Sequence, residues 1–322
     1  MAKLIATRDA YGETLAELGE RYRDIVVLDA DLSASTRTNV FAKRFPERFF
    51  NMGVSEADMM GTAAGLASAG KIPFASTFAI FASGRAWEQV RQSIAYPGLN
   101  VKIVATHGGI TVGEDGASHQ ALEDIALMRA IPGMTVIVPA DAVETKGVIK
   151  ELVEYKGPVY VRLGRTRFPV VMSEDYRFNI GKGVVVREGS DATIIAVGLM
   201  VAHSLEAAKI LEGMGLNVRV INMSTIKPID RVLIIRSALE TGAIITVEEH
   251  SIIGGLGEAV ASILAEESPV LMRMVGVKDS FGQSGSAEEL LAHYGLMPED
   301  IAAAAKGVIR RKANVQPSGI SR

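Results

Sequence analysis

What most narrows the folds open to this chain is an alternation of short apolar runs with helical patterns, carried through twice with one interruption. The first series opens with a helix over residues 8–23, where Tyr11, Leu15, Leu18 and Tyr22 recur at helical spacing. A buried strand follows at 25–30, then a polar loop at 31–39 and a strand at 48–52 that runs into a small-residue helix from Glu56. Strands at 72–76, 101–106, 135–138 and 159–162 come next, separated by helices at 82–96, to 130 and at 142–155 and by a long loop at 108–120. Residues 167–183 break the pattern with Pro169, a polar Ser173-Glu-Asp-Tyr176 and Gly181-Lys-Gly183. A second series then sets strands at 193–197, 218–222, 243–247 and 270–275 against helices at 201–211, from about 230 and at 256–265. Alternation of this kind predicts an α/β fold of two domains, each a mainly parallel sheet covered by helices. The expected divisions are a first domain over 1–166, a linker over 167–183, a second domain over 184–312 and a loose tail over 313–322.

Composition removes whole classes of function. At 322 residues, 48% of them hydrophobic, the chain can fill two cores, and it has no apolar run of membrane-spanning length. The N-terminus lacks a signal-peptide core, so a soluble, cytoplasmic protein is expected. With no cysteine there is no disulfide, thiolate metal site or thiol nucleophile. The five histidines show no metal-ligand spacing, and a net charge of -3 without a basic block gives no reason to expect nucleic acid.

In a parallel sheet, ligands sit beyond the carboxyl ends of the strands. Asp31, Glu56, Thr77 with Phe78, His107 and Arg165 all fall at such ends. Glu56 is the most suggestive: it lies at a strand-to-helix junction, followed by Gly61, Ala63, Ala64, Gly65, Ala67, Ala69 and Gly70, which would let the helix approach a sheet or another chain closely. Taken alone, a carboxylate there reads as a helix cap or dipole partner. The loop His107-Gly-Gly-Ile-Thr-Val-Gly-Glu-Asp-Gly-Ala-Ser-His119 brackets Glu114 and Asp115 with two histidines. It lacks the ending of a phosphate-binding P-loop, and Gly254-Gly-Leu-Gly257 reads as a tight turn into a helix rather than a dinucleotide fingerprint.

Gly53-Val-Ser-Glu56, Ser76-Thr-Phe-Ala-Ile-Phe81 and the loop from Thr106 to His119, in this order, resemble the pyrimidine-binding half of transketolase. Val247-Glu-Glu and Gly254-Gly-Leu-Gly257 resemble its C-terminal domain, so the likeness covers nearly the whole chain. It implies that Glu56 hydrogen-bonds a ring nitrogen of the thiamine diphosphate aminopyrimidine, and that Phe78 and Phe81 pack on that ring, with Asp31 on the cofactor side. Two phenylalanines three apart otherwise read as helix core. A third aromatic usual in the family falls at Gly84, which leaves that wall to Trp87 or to another chain. His107 and Asp115 match residues that contact sugar hydroxyls, His119 one that holds the donor or acceptor end, and Arg165 a phosphate-binding arginine. Arg8 and Ser35 match further phosphate contacts, and Arg162 or Arg167 could take the place of Arg165 in a shifted register.

The family's diphosphate-binding domain, with its Gly-Asp-Gly motif, has no counterpart here. The resemblance therefore implies the C-terminal subunit of a split transketolase, working with an N-terminal subunit that holds the diphosphate and Mg2+ (or Ca2+). An α2β2 assembly and ketol transfer from a ketose phosphate to an aldose phosphate are expected. The alternatives are a deoxyxylulose phosphate synthase-like chain, a 2-oxoacid dehydrogenase β subunit, or a non-catalytic partner that keeps the fold.

Overall fold

The computed structural model describes residues 3–315. Among these residues the strands, in chain order, are β1 (Leu4–Ala6), β2 (Ile25–Asp29), β3 (Phe49–Asn51), β4 (Ile72–Ser76), β5 (Lys102–Ala105), β6 (Thr135–Ile137), β7 (Val159–Arg162), β8 (Arg167–Pro169), β9 (Val184–Arg187), β10 (Ala192–Ala196), β11 (Val218–Asn222), β12 (Thr225–Lys227), β13 (Ala243–Ser251) and β14 (Leu271–Val277). The larger sheet has the order β12-β6-β7-β5-β4-β2-β3, and all its neighbours run parallel except β12 on β6. The smaller has the order β14-β13-β10-β11-β9, parallel apart from β9. Central strands such as β2 and β10 are buried at every residue, the signature of sheets covered on both faces.

The helices form where the spacing places them, with instructive exceptions. Helix Thr7–Arg21 buries Tyr11, Leu15 and Leu18 on the face of β2, and a Cβ at Gly19 would meet the Phe41 and Phe45 rings at 2.6 Å, so only glycine admits those rings. The expected helix over 82–96 is instead three pieces, Ala79–Ser83, Trp87–Gln89 and a π-helical Val90–Ala95, with the chain turning at Gly84 and Arg85. The polar loop at 31–39 contains a helical turn, Ser33–Thr36, because the buried Asp29 carboxylate accepts from Leu32 N and from the Thr36 and Thr38 hydroxyls, at 2.6–2.8 Å.

The division between domains is less sharp than the composition of 167–183 suggests. Residues 167–169 form β8, which pairs antiparallel with β1, and Asp141 both caps helix Ala142–Glu154 and accepts from Val171 N and Met172 N at 2.7 Å. Strand β12, from the second half of the chain, closes the edge of the first sheet. One apolar core joins Val136, Val138 and Ile125 to Ile195, Ile221 and Leu256, so the two halves share an interior. Of the loose tail expected over 313–322, residues 313–315 continue helix Pro298–Val315, and residues 316–322 lie outside the described residues. Among the described residues no helix is long and apolar enough to cross a membrane.

Candidate functional site

The carboxyl ends of β2, β3, β4, β5 and β7 open onto one edge, and most of the expected residues meet there. Glu56 begins helix Glu56–Ser68 and is only 4% exposed. Ser55, at the N-cap, makes no side-chain bond to this helix. The partner of the carboxylate is Arg85, whose Nη1 donates to Glu56 Oε1 at 3.1 Å while the guanidinium lies 4.0 Å above the Phe81 ring. Phe81 stacks with Phe78 at 5.8 Å between centroids, and Phe78 stacks in turn on the His107 imidazole at 3.8 Å. His119 presents its ring edge-on to Phe81 at 5.3 Å. The result is a continuous aromatic surface running from a buried carboxylate to two imidazoles.

Gly84 stands beside this surface, and a Cβ there would approach the Ile80 carbonyl to 2.7 Å. The Trp87 indole donates to the Leu127 carbonyl at 3.1 Å, and the Arg85 guanidinium lies over Phe81. Nothing in the spacing distinguished this arginine from a solvated one; its neighbour Gly84 was the only signal.

His107 follows β5 with φ +60 and is 3% exposed. Thr106 Oγ1 lies 2.8 Å from its Nδ1, and Arg8 Nη1 lies 3.4 Å from its Nε2. Since a guanidinium can only donate, Nε2 is the acceptor and the proton sits on Nδ1, donated to Thr106. Burial, with Arg8 and Arg165 beside it, pushes the imidazole down to about 3, so it is neutral across the physiological range. Arg8 also donates to the Ser35 carbonyl at 2.9 Å, which brings those two short matches together. Its Nε is buried without a partner, leaving donor capacity unused beside His107.

Of the three arginines near the end of β7, Arg165 is the one that hydrogen-bonds the 107–120 loop. Arg165 donates to the Val112 carbonyl at 2.6 Å and to the Glu114 carboxylate. Arg162, on β7 itself, is 4% exposed and paired with the fully buried Asp124 at 2.9 Å, so it cannot anchor a phosphate. Arg167 lies exposed on β8, beside β1. Asp115 is exposed at the tip of the 107–120 loop, with no shared bond to His107. Asp31 is exposed after β2 with φ +65 and accepts from Asn51 at 2.9 Å, so it flanks the edge without joining the Glu56 group. Among the described residues there is no cluster of three or more metal-ligating side chains.

Residues 3–170 match the pyrimidine binding domain of transketolase and residues 181–301 match the transketolase C-terminal domain. A solved structure described as a split gene transketolase, inactive beta4 tetramer, superimposes with a TM-score of 0.90 at 57% identity, covering 96% of this chain and 99% of that one. The 6-deoxy-6-sulfo-D-fructose transketolase subunit of a Clostridium species is 45% identical over 95% of both chains. An apulose-4-phosphate transketolase subunit from Phocaeicola vulgatus is 42% identical over 96% of this chain and 99% of its own length. Matched over at least 95% of its length by these proteins, the chain belongs to the transketolase family and corresponds to its C-terminal section.

Proposed function

We propose that this chain is the pyrimidine- and sugar-binding half of a thiamine-diphosphate-dependent transketolase, transferring a two-carbon ketol unit from a ketose phosphate to an aldose phosphate. The observation that carries this reading is Glu56, a buried carboxylate set at the edge of the Phe81–Phe78–His107 stack. Its placement fits the pyrimidine half of the cofactor: an acceptor for a ring N–H beside a flat aromatic face. When bound, thiamine diphosphate supplies the nucleophile that carries the two-carbon unit. The chain's own groups do the rest. Glu56 holds the proton shared with the ring nitrogen, and Phe81 and Phe78 orient the ring. His107, neutral with its acceptor Nε2 3.4 Å from Arg8 Nη1, exchanges that long contact for a hydrogen bond from a sugar hydroxyl, and His119 serves the opposite rim, with Asp115 at the mouth. Arg165 and Arg8, with the Ser35 turn, suit the dianionic end of the sugar, where bidentate donors exceed a single ammonium in strength. The names of the two relatives, a sulfo sugar and a sugar phosphate, are in keeping with an anion at that end.

The diphosphate and its Mg2+ (or Ca2+) are assigned to an N-terminal partner subunit, in an α2β2 assembly. The relatives named as subunits, at matching length, support this division. So does the open face of helix Glu56–Ser68, where Gly61 and Gly65 have no atom within 4 Å of a notional Cβ. Calorimetry tests the division. The isolated chain should bind thiamine diphosphate weakly, because among the described residues there is no metal-ligating cluster to replace the hydration of a charged diphosphate. Adding the partner should create tight, magnesium-dependent binding and ketol transfer together. Micromolar, magnesium-dependent binding by the chain alone would sink the split-site reading.

A further inference from the structure

The adjacent carboxylates of Val247-Glu-Glu lie at the end of β13, in the second half of the chain, and take opposite directions, as successive strand residues do. Glu248 stays within its own half: its oxygens accept from Leu256 N at 2.7 Å and Gly257 N at 2.8 Å, capping helix Leu256–Glu267. Glu249 turns the other way, into the 107–120 loop. Its Oε2 accepts from the Thr111 hydroxyl at 2.8 Å and from Thr111 N at 3.2 Å, with the side chain 3% exposed.

The loop is shaped around this carboxylate. Gly109 has φ +88, and a Cβ there would lie 2.3 Å from Glu249 Oε2. At Gly108 a Cβ would lie 2.5 Å from Arg162 Nε, and Arg162 in turn donates to the Glu249 carbonyl at 2.9 Å. The two glycines directly after His107 therefore rest on Glu249 and on the arginine that holds its backbone. His107 itself sits at positive φ, a conformation that a histidine keeps only where its surroundings impose it.

We propose that Glu249 is a positioning residue for the sugar site: by clamping Thr111 and seating Gly109, the second half of the chain sets the path of the loop that presents His107. The inference rests on the reading of that loop as sugar-binding. It gives the second domain a direct part in the site, although none of the residues assigned to substrate or cofactor lies within it.

The test compares Glu249→Ala with Glu249→Gln in the full chain, because glutamine keeps a carbonyl acceptor for Thr111 and alanine does not. Hydrogen exchange reads the clamp in this chain without a partner. In Glu249→Ala the amides of Gly109 and Thr111 should exchange at least tenfold faster while those of β2 and β4 stay as in wild type, and Glu249→Gln should restore most of the protection. In the complex with the N-terminal subunit, Glu249→Ala should raise KM for the ketose at least fivefold and leave the Kd for thiamine diphosphate within twofold. Should the alanine variant fold poorly, Thr111→Val, which exchanges the hydroxyl for a methyl and keeps the backbone N–H, should show the same pattern at smaller amplitude. Unchanged loop exchange overturns the proposal. So does a loss of protection spread evenly over both sheets, with glutamine no better than alanine. If the wild-type complex transfers no ketol unit, the functional reading fails, and the exchange data then judge the clamp separately.

Discussion

Replacing Arg162 by methionine should destabilise the protein more than any substitution at the exposed arginines, and the structure supplies the size of the effect. The guanidinium pairs with Asp124 at 2.9 Å and donates to the carbonyls of Ala121 at 3.2 Å and Glu249 at 2.9 Å, with neither charged side chain more than 4% exposed. Methionine fills a similar volume but leaves Asp124 with one strong donor, the Tyr160 hydroxyl at 2.7 Å. Removing one member of a buried pair costs about 3–5 kcal/mol, because the remaining charge keeps its desolvation penalty without its partner. At about 2–4 °C per kcal/mol, the melting temperature should drop by roughly 10 °C. Combining Arg162→Met with Asp124→Asn removes the orphaned charge and keeps an acceptor for Tyr160, so the double variant should recover at least about 2 kcal/mol of the loss. Urea unfolding followed by circular dichroism and by the fluorescence of Trp87, the sole tryptophan, reads all three proteins. A single variant within about 1 kcal/mol of wild type, the range of a surface pair, would refute the reasoning. A double variant less stable than the single would refute it equally, since the cost would then lie in packing and not in the unpaired carboxylate.

Glu56→Gln should keep the fold and lose nearly all turnover in the complex; activity within about tenfold of wild type, a barrier change of about 1.4 kcal/mol, would remove Glu56 from the mechanism. Arg165→Ala should raise KM far more for phosphorylated than for unphosphorylated sugars, and equal effects on both would place the anion site elsewhere. Arg85→Met should lower the Kd of the complex for thiamine diphosphate severalfold, because the guanidinium occupies Phe81 and Glu56 Oε1, the groups a pyrimidine ring would use; weaker binding would mean that the arginine is a wall of the site and not a competitor. The folded pKa of His107 lies at about 3, below its ordinary value of 6.5, so the stability it contributes is present above about pH 6.5 and is lost as pH falls towards 3. His107→Asn, which cannot titrate, should accordingly show a shallower loss of stability over that window in urea melts at stepped pH, and a slope identical to wild type would show that the imidazole is not held neutral.

How far such a site can be read from sequence depends on which interactions are local. The strands that proved central are continuous apolar runs, and the edge they create is a consequence of parallel order, so residues as far apart as Glu56 and Arg165 could be placed at one edge before their contacts were known, whereas Arg8 came only from the likeness to transketolase. Glu56 stood out because a carboxylate between a strand and a small-residue helix has no packing role of its own. Strand β12 could not be read in the same way: Thr225-Ile-Lys227 has no periodicity, and it becomes a strand only because β6 offers an unpaired edge from the other half of the chain. The arginines make the same point more sharply. Arg162 and Arg165 are chemically identical and three residues apart, and composition gives no reason to prefer either as an anion ligand. Arg162 is still within β7, where the strand directs it into the interior towards Asp124, whereas Arg165 has left the strand and can bend back to the loop at Val112 and Glu114. Which of them stays at the sheet edge is thus decided by where one strand ends. The two glutamates at the end of β13 are separated by the same logic, one directed to its own helix and the other across the shared interior to Thr111. A residue's chemistry narrows what it can do, and the last turn of the backbone beneath it selects which of those tasks it is given.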